Sequence, residues 1–184
     1  PVISEENLKK ISRLLGKEVV AKKKRVAVLL CSGGKKERKE KFRYSGLNDC
    51  ASASLLFSGP LSCFFGCIGF GDCLKACPFS ALRMNENGIP EVDLKKCTGC
   101  GNCVEACPLN LFALLPKGKV YVACSSRDRG PLVKKECSAG CFGCGKCVKV
   151  CEQKAITLEN FLAKIDPQKC NNCGKCIEVC PVKV

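Results

Sequence analysis

Cys97-Thr98-Gly99-Cys100-Gly101-Asn102-Cys103-Val104-Glu105-Ala106-Cys107-Pro108 is the stretch that decides how this chain folds. Cysteine gaps of two, two and three residues, closed by a proline, are the spacing of [4Fe-4S] ligation. Two-residue gaps let one tight loop offer three thiolates to three iron corners. Gly99 and Gly101 permit the backbone turns that aim amide donors at sulfur. Cys170-Asn171-Asn172-Cys173-Gly174-Lys175-Cys176-Ile177-Glu178-Val179-Cys180-Pro181 repeats the pattern.

The repeat is larger than the metal motif. Cys63, Cys67, Cys73, Cys77, Cys97, Cys100, Cys103 and Cys107 align in order with Cys137, Cys141, Cys147, Cys151, Cys170, Cys173, Cys176 and Cys180. The lead-in recurs as well: Val28 to Ser32 matches Tyr121 to Ser125, each an apolar strand pattern ending in Cys-Ser. Between the cysteine groups lies a hairpin signature, Ala81 to Met84 with a turn at Asn85 to Gly88, and Ala155 to Leu158 with a turn at Glu159-Asn160. The expected class is α+β: two tandem bacterial-type 2[4Fe-4S] ferredoxin-like units with a small N-terminal α/β segment. The boundaries fall at residues 1–60 for that segment, 61–118 for the first unit and 119–184 for the second lead-in and unit.

In two-cluster ferredoxins the fourth cysteine of each motif reaches across to the other cluster. On that rule Cys141, Cys144, Cys147 and Cys180 share one cubane, and Cys170, Cys173, Cys176 and Cys151 the next. In the first unit Cys97, Cys100, Cys103 and Cys77 form a regular quartet. The remaining site has Cys67, Cys73 and Cys107, but Phe70 stands where the repeat has Cys144. Cys63 is the expected replacement, with Cys50 or a three-iron cluster as alternatives. The expected cofactors are therefore four [4Fe-4S] clusters. Cys31, Cys50, Cys124 and Cys137 are left over, enough for a fifth cluster by number, but Cys31 and Cys124 close apolar strands with no local ligand spacing, and the expected reading is of small buried hydrophobes.

Composition agrees with a metal scaffold. Of 184 residues 20 are cysteine, none is histidine, and residues 1–20 lack the basic, apolar, small-residue order of a secretory signal. Zinc sites favour separated two-cysteine knuckles, unlike these threefold groups closed by Cys-Pro. No P-loop, glycine-rich dinucleotide turn or acid–base constellation is present, so neither a catalytic site nor a small-molecule substrate is expected. Lys and Arg outnumber Asp and Glu by 31 to 17. Four loaded cubanes with sixteen thiolates would contribute roughly −8 and leave an excess of about +6. That excess suits an acidic partner, and the scarcity of aromatics among the basic runs argues against nucleic acid.

Ahead of the cysteines, Ser4 to Gly16 reads as a capped helix with Leu8, Ile11 and Leu15 as its apolar stripe, and Val26 to Cys31 as a buried strand. The charged run Lys35 to Lys41 reads as a solvated face. Asp49 caps a second helix through Ala51, Ala53, Leu55 and Leu56, ending at Gly59-Pro60.

Cys50-Ala51-Ser52-Ala53, Gly66-Cys67-Ile68-Gly69-Phe70-Gly71-Asp72-Cys73-Leu74-Lys75-Ala76-Cys77-Pro78-Phe79 and Val120 to Ser126 together make the chain similar to a known family over nearly its whole length. It resembles the B subunit of the Rnf complex, in the longer form with extra ferredoxin modules. The resemblance implies a subunit that accepts electrons from reduced soluble ferredoxin and passes them toward a flavin-bearing, nicotinamide-reducing partner. It also implies a machine coupling that flow to sodium or proton transport. This chain would lie peripherally at the cytoplasmic face of the membrane, among the other subunits of the complex. Because it starts at Pro1, it reads as lacking an N-terminal part that would carry any anchor.

Overall fold

Local sequence chemistry explains the small elements of this chain, and the cysteines explain how they assemble. The structure, a computed structural model, describes residues 5–16 and 24–184. The expected cap Ser4 and the side chains of Leu8 and Leu15 lie outside the described residues. Helix α1 spans Glu5–Leu15 and closes on Gly16 at φ 60°.

Strand β1, Arg25–Leu29, follows the apolar run, and its Val26, Ala27, Val28 and Leu29 are all buried. Its partner is β4, Phe112–Pro116, which follows the second cysteine motif of the first unit; the two run antiparallel with Val26 opposite Leu115 and Leu29 opposite Phe112. The lead-in strand is therefore woven into the first unit. Helix α2, Cys50–Ser54, is capped by Asp49, whose carboxylate accepts from the Ser52 N–H at 2.6 Å. It stops before Leu55 and Leu56, which are exposed and form a turn instead.

Each cysteine loop runs into a short helix that carries its third cysteine. These are α3 (Asp72–Lys75, with Cys73), α4 (Asn102–Glu105, with Cys103), α6 (Lys146–Val150, with Cys147) and α7 (Lys175–Glu178, with Cys176). A glycine in the left-handed region opens all four, at Gly71, Gly101, Gly145 and Gly174. The chain turns there from loop to helix in a single residue, which a side chain would resist. Helix α5, Gly130–Glu136, leads into the second unit with Pro131 in its first turn, where a missing N–H costs nothing.

Hairpins fill the gaps between helices. β2 (Leu82–Met84) pairs with β3 (Pro90–Val92), and the exposed Arg83 and Glu91 meet across it at 2.9 Å. β5 (Ile156–Glu159) pairs with β6 (Leu162–Ile165). Its turn sits at Asn160-Phe161, one residue later than the sequence suggests, with both residues at positive φ, 48° and 61°. Two-residue hairpins demand that handedness to match strand twist.

Two cores result. The first joins Val26, Ala27, Leu29, Ala81, Leu111 and Phe112 to the buried Cys67, Cys73, Cys97 and Cys103. The second is smaller, with Ile156, Leu162 and Ala163 around Cys141. Val120 to Cys124, the counterpart of β1, has no strand partner among the described residues. The charged run is not wholly a solvated face. Lys35, Lys36, Lys39 and Glu40 are exposed, but Arg38 is half-buried and donates to the carbonyls of Cys67 and Ile68.

Candidate metal centres

Among the described residues no three Cys, Asp or Glu side chains close on a single point. The thiols stand instead around cavities. Cys77, Cys97, Cys100 and Cys103 line one of about 20 Å³. Cys151, Cys170, Cys173 and Cys176 line another of about 20 Å³. A wider opening of about 240 Å³ carries Cys141, Cys144, Cys147 and Cys180, with Cys176 at its edge. These are the three regular quartets that spacing and the crossing rule bring together.

The irregular site differs from expectation. Cys67, Cys73 and Cys107 line a cavity of about 20 Å³, and the fourth cysteine on its wall is Cys50. Cys63 lies elsewhere, in a cavity with Cys31, Cys124 and Cys137. What brings Cys50 in is a carboxylate. Asp72, the residue before Cys73, accepts from the N–H groups of Cys50 and Ala51 at 2.9 and 3.1 Å, tying the start of α2 to the cysteine loop. Phe70, which occupies the Cys144 position, packs its ring against Tyr44 at 5.6 Å between centroids.

The donor sets fit cubanes. Thiols are the only metal-binding groups that recur on these walls, and backbone N–H groups already point at them. Ala27 donates to Cys97 Sγ at 3.4 Å, Ala81 to Cys77 at 3.4 Å, Leu111 to Cys107 at 3.4 Å and Ala155 to Cys151 at 3.3 Å. Amide-to-sulfur bonds of this kind hold thiolate ligands in place and tune the metal. Burial pushes the Cys73 thiol up to about 12 and the Cys103 thiol up to about 11, and raises Cys67, Cys147 and Cys176 as well. A buried thiol resists charging unless a cation compensates it, which an iron core does on binding.

Backbone conformation serves the same loops. Two residues after the first cysteine of a loop the chain turns left-handed, at Gly99 with φ 74° and at Asn172 with φ 62°. A Cβ at Gly99 would run into the Arg25 carbonyl oxygen, so β1 packs directly on the loop.

Residues 66–111 and 140–184 each match the 4Fe-4S dicluster domain family. Over 161 residues the chain is 49% identical to the B subunit of the proton-translocating ferredoxin:NAD(+) oxidoreductase complex of Clostridium ljungdahlii, covering 87% of this chain and 57% of that protein. It is 40% identical to the B subunit of the Na(+)-translocating ferredoxin:NAD(+) oxidoreductase complex of Acetobacterium woodii, over 87% of this chain and 48% of the relative. With the B subunit of the ion-translocating oxidoreductase complex of Methanosarcina acetivorans it shares 42% identity over 100% of this chain and 70% of the relative. The chain belongs to the family of Rnf complex B subunits. Its two dicluster domains correspond to about four [4Fe-4S] clusters. It spans about half the length of the first two of these relatives, 57% and 48%.

The domain matches also count ligands. Seven cysteines fall within 66–111 and eight within 140–184, fifteen together and one short of four complete quartets. Cys31, Cys50, Cys63, Cys124 and Cys137 lie outside both stretches. Spacing alone points to Cys63 as the nearest. The signal for Cys50 is Asp72, an acidic residue at the start of a cysteine helix whose counterpart in the repeat is Lys146.

Proposed function

We propose that the chain relays single electrons from a reduced, acidic soluble ferredoxin toward the other subunits of an ion-translocating membrane complex, docked peripherally at its cytoplasmic face. The observation that carries this reading is the sorting of the cysteines of two ferredoxin-like units into quartets, each on its own cavity wall with amides aimed at sulfur. Thiolate-ligated cubanes, when bound, take and give one electron at a time near −400 mV.

We assign the ligands as Cys50, Cys67, Cys73 and Cys107; Cys77, Cys97, Cys100 and Cys103; Cys141, Cys144, Cys147 and Cys180; and Cys151, Cys170, Cys173 and Cys176. The two units span 61–118 and 119–184. Residues 1–60 form a lead-in whose β1 covers the Cys97 loop and whose α2 completes the irregular site. Among the described residues no helix is long and apolar enough to cross a membrane. The excess of 31 basic over 17 acidic residues supports attraction of an acidic donor, which raises association rates more than final affinity.

The test is reduction of the anaerobically purified, iron-loaded chain by reduced ferredoxin, followed by EPR and stopped-flow absorbance. Rapid bleaching is expected, with signals of coupled [4Fe-4S]⁺ centres and a bimolecular rate that falls steeply as salt is raised, because exposed charges are screened over about 8 Å at physiological ionic strength. Reduction by dithionite but not by ferredoxin would point to another donor.

A further inference from the structure

We propose that Cys31, Cys63, Cys124 and Cys137 hold a fifth [4Fe-4S] cluster at the seam between the two ferredoxin-like units. The inference rests on the four-cluster reading above and adds a site to it. These cysteines come from four separate segments, lie outside both dicluster matches, and line a single small cavity of about 20 Å³. The regular cavity lined by Cys97 has the same volume, about 20 Å³.

The arrangement is built from the repeat. Cys31 and Cys124 are counterparts at the ends of the two lead-ins, and Cys63 and Cys137 are counterparts four residues before Cys67 and Cys141. Each half of the repeat therefore contributes the same two thiols to one shared cavity. The serines after the lead-in cysteines both bond across the seam, to different kinds of segment. Ser32 donates its hydroxyl to the Ala139 carbonyl at 3.3 Å, and Ser125 to the Leu30 carbonyl at 2.9 Å.

Backbone pairing fixes the other two thiols. Residues 37–41 run between the two segments, with Ser62 N–H donating to Lys39 at 2.8 Å, Lys39 to Glu136 at 3.0 Å and Ser138 to Glu37 at 2.9 Å. This ribbon holds Cys63 and Cys137 on one wall. Gly33 completes the cradle, since a Cβ there would sit 2.9 Å from Cys137 Sγ.

The sulfurs are dressed as ligands are dressed elsewhere in the chain. Cys67 N–H donates to Cys31 Sγ at 3.4 Å and Cys141 N–H to Cys124 Sγ at 3.4 Å, the same length as the bonds to Cys97 and Cys107. Arg38 also lines this cavity. Its guanidinium supplies fixed positive charge against the net charge of about −2 of an oxidised cubane with four thiolates.

The position gives the site a role. Cys31 and Cys124 are each one hydrogen bond from the backbone of Cys67 and Cys141, which belong to different units. One electron enters from a reduced [4Fe-4S]⁺ centre of one unit and leaves to an oxidised centre of the other, with no bond or proton exchanged.

Iron and acid-labile sulfide are counted on the anaerobically reconstituted chain and on Cys31→Ser, Cys124→Ser and the double variant. The expected parent value is about twenty iron per chain, four to each of five clusters. Each variant is expected at about sixteen, and the double variant also at about sixteen, because both cysteines serve one cluster. A parent near sixteen with the variants unchanged would overturn the fifth site and leave the four-cluster reading intact. A parent without iron would sink both. The parent count decides by itself if a variant fails to fold.

Discussion

The Asp72 carboxylate accepts the backbone N–H of Cys50 at 2.9 Å, although 22 residues separate them. The same oxygen takes the Ala51 N–H at 3.1 Å, so one acidic side chain pins the first turn of α2 to the helix that carries Cys73. Asp72→Ala removes both acceptor contacts. Losing a carboxylate that satisfies helix N-terminal donors costs about 0.5–2 kcal/mol. The larger effect is expected on metal: the Cys50 thiol is released from the cavity, and the chain loses about four iron or retains a three-iron cluster with its own EPR signature. Full iron content in Asp72→Ala would mean that Cys50 is not held there for ligation.

Cys50 and Cys63 are distinguished by a double-variant comparison. With the ligands as assigned they serve different clusters, so Cys50→Ala and Cys63→Ala each lose about four iron, and the pair loses about eight, because independent sites add. If both were ligands to the cluster of Cys67, Cys73 and Cys107, the pair would lose no more than either alone. Iron per chain, measured against protein by quantitative amino-acid analysis, reads the difference directly.

What the sequence discloses about this chain tracks how local each interaction is. Cys97 to Cys103 and Cys170 to Cys176 are local loops, so their spacing reveals the shared cavity wall and the short helices they start. The two hairpins follow from turn chemistry, with a one-residue error where Phe161 takes a positive φ that aromatic residues rarely accept. Cys50 and the seam are different in kind. Cys50 reaches its cavity through a carboxylate 22 positions away, and Cys31, Cys63, Cys124 and Cys137 meet through a backbone ribbon and two crossing serines. No spacing rule encodes such contacts. Only the repeat, which leaves a matching pair of cysteines in each half, hints that they belong together.

Gly99 tests whether the lead-in strand shapes the cluster loop. Gly99→Ala places a Cβ at φ 74° and against the Arg25 carbonyl of β1. The left-handed backbone alone costs roughly 1–2 kcal/mol, and the collision with main-chain atoms adds to it by pushing β1 away from Cys97. Gly118→Ala is the control, since Gly118 has φ 83° but no atom within 4 Å of its Cβ position. Gly99→Ala is expected to shed iron during mild heating well before the parent, while Gly118→Ala lowers the melting temperature slightly and keeps its iron. Equal iron retention in the two variants would show that the β1 contact does not constrain the loop.

Iron removal should unfold the two units unequally. The first keeps a metal-independent core, with Val26, Leu29, Leu111 and Phe112 buried around the β1–β4 pair. Each such side chain contributes about 1.5–3 kcal/mol when fully buried. The second has a smaller cluster, with Ile156, Leu162 and Ala163 buried beside Cys141, and its lead-in has no strand partner among the described residues. There the cubanes are most of what the side chains pack around, and binding free energy becomes folding free energy. Hydrogen exchange after anaerobic chelation is therefore expected to show the β5 and β6 amides exchanging freely. The β1 and β4 amides should still exchange at least about ten times more slowly, a difference of about 1.4 kcal/mol. Simultaneous loss of protection in both strand pairs would mean that the first core cannot stand without its metal, and that the β1–β4 sheet is held by the Cys97 loop rather than holding it.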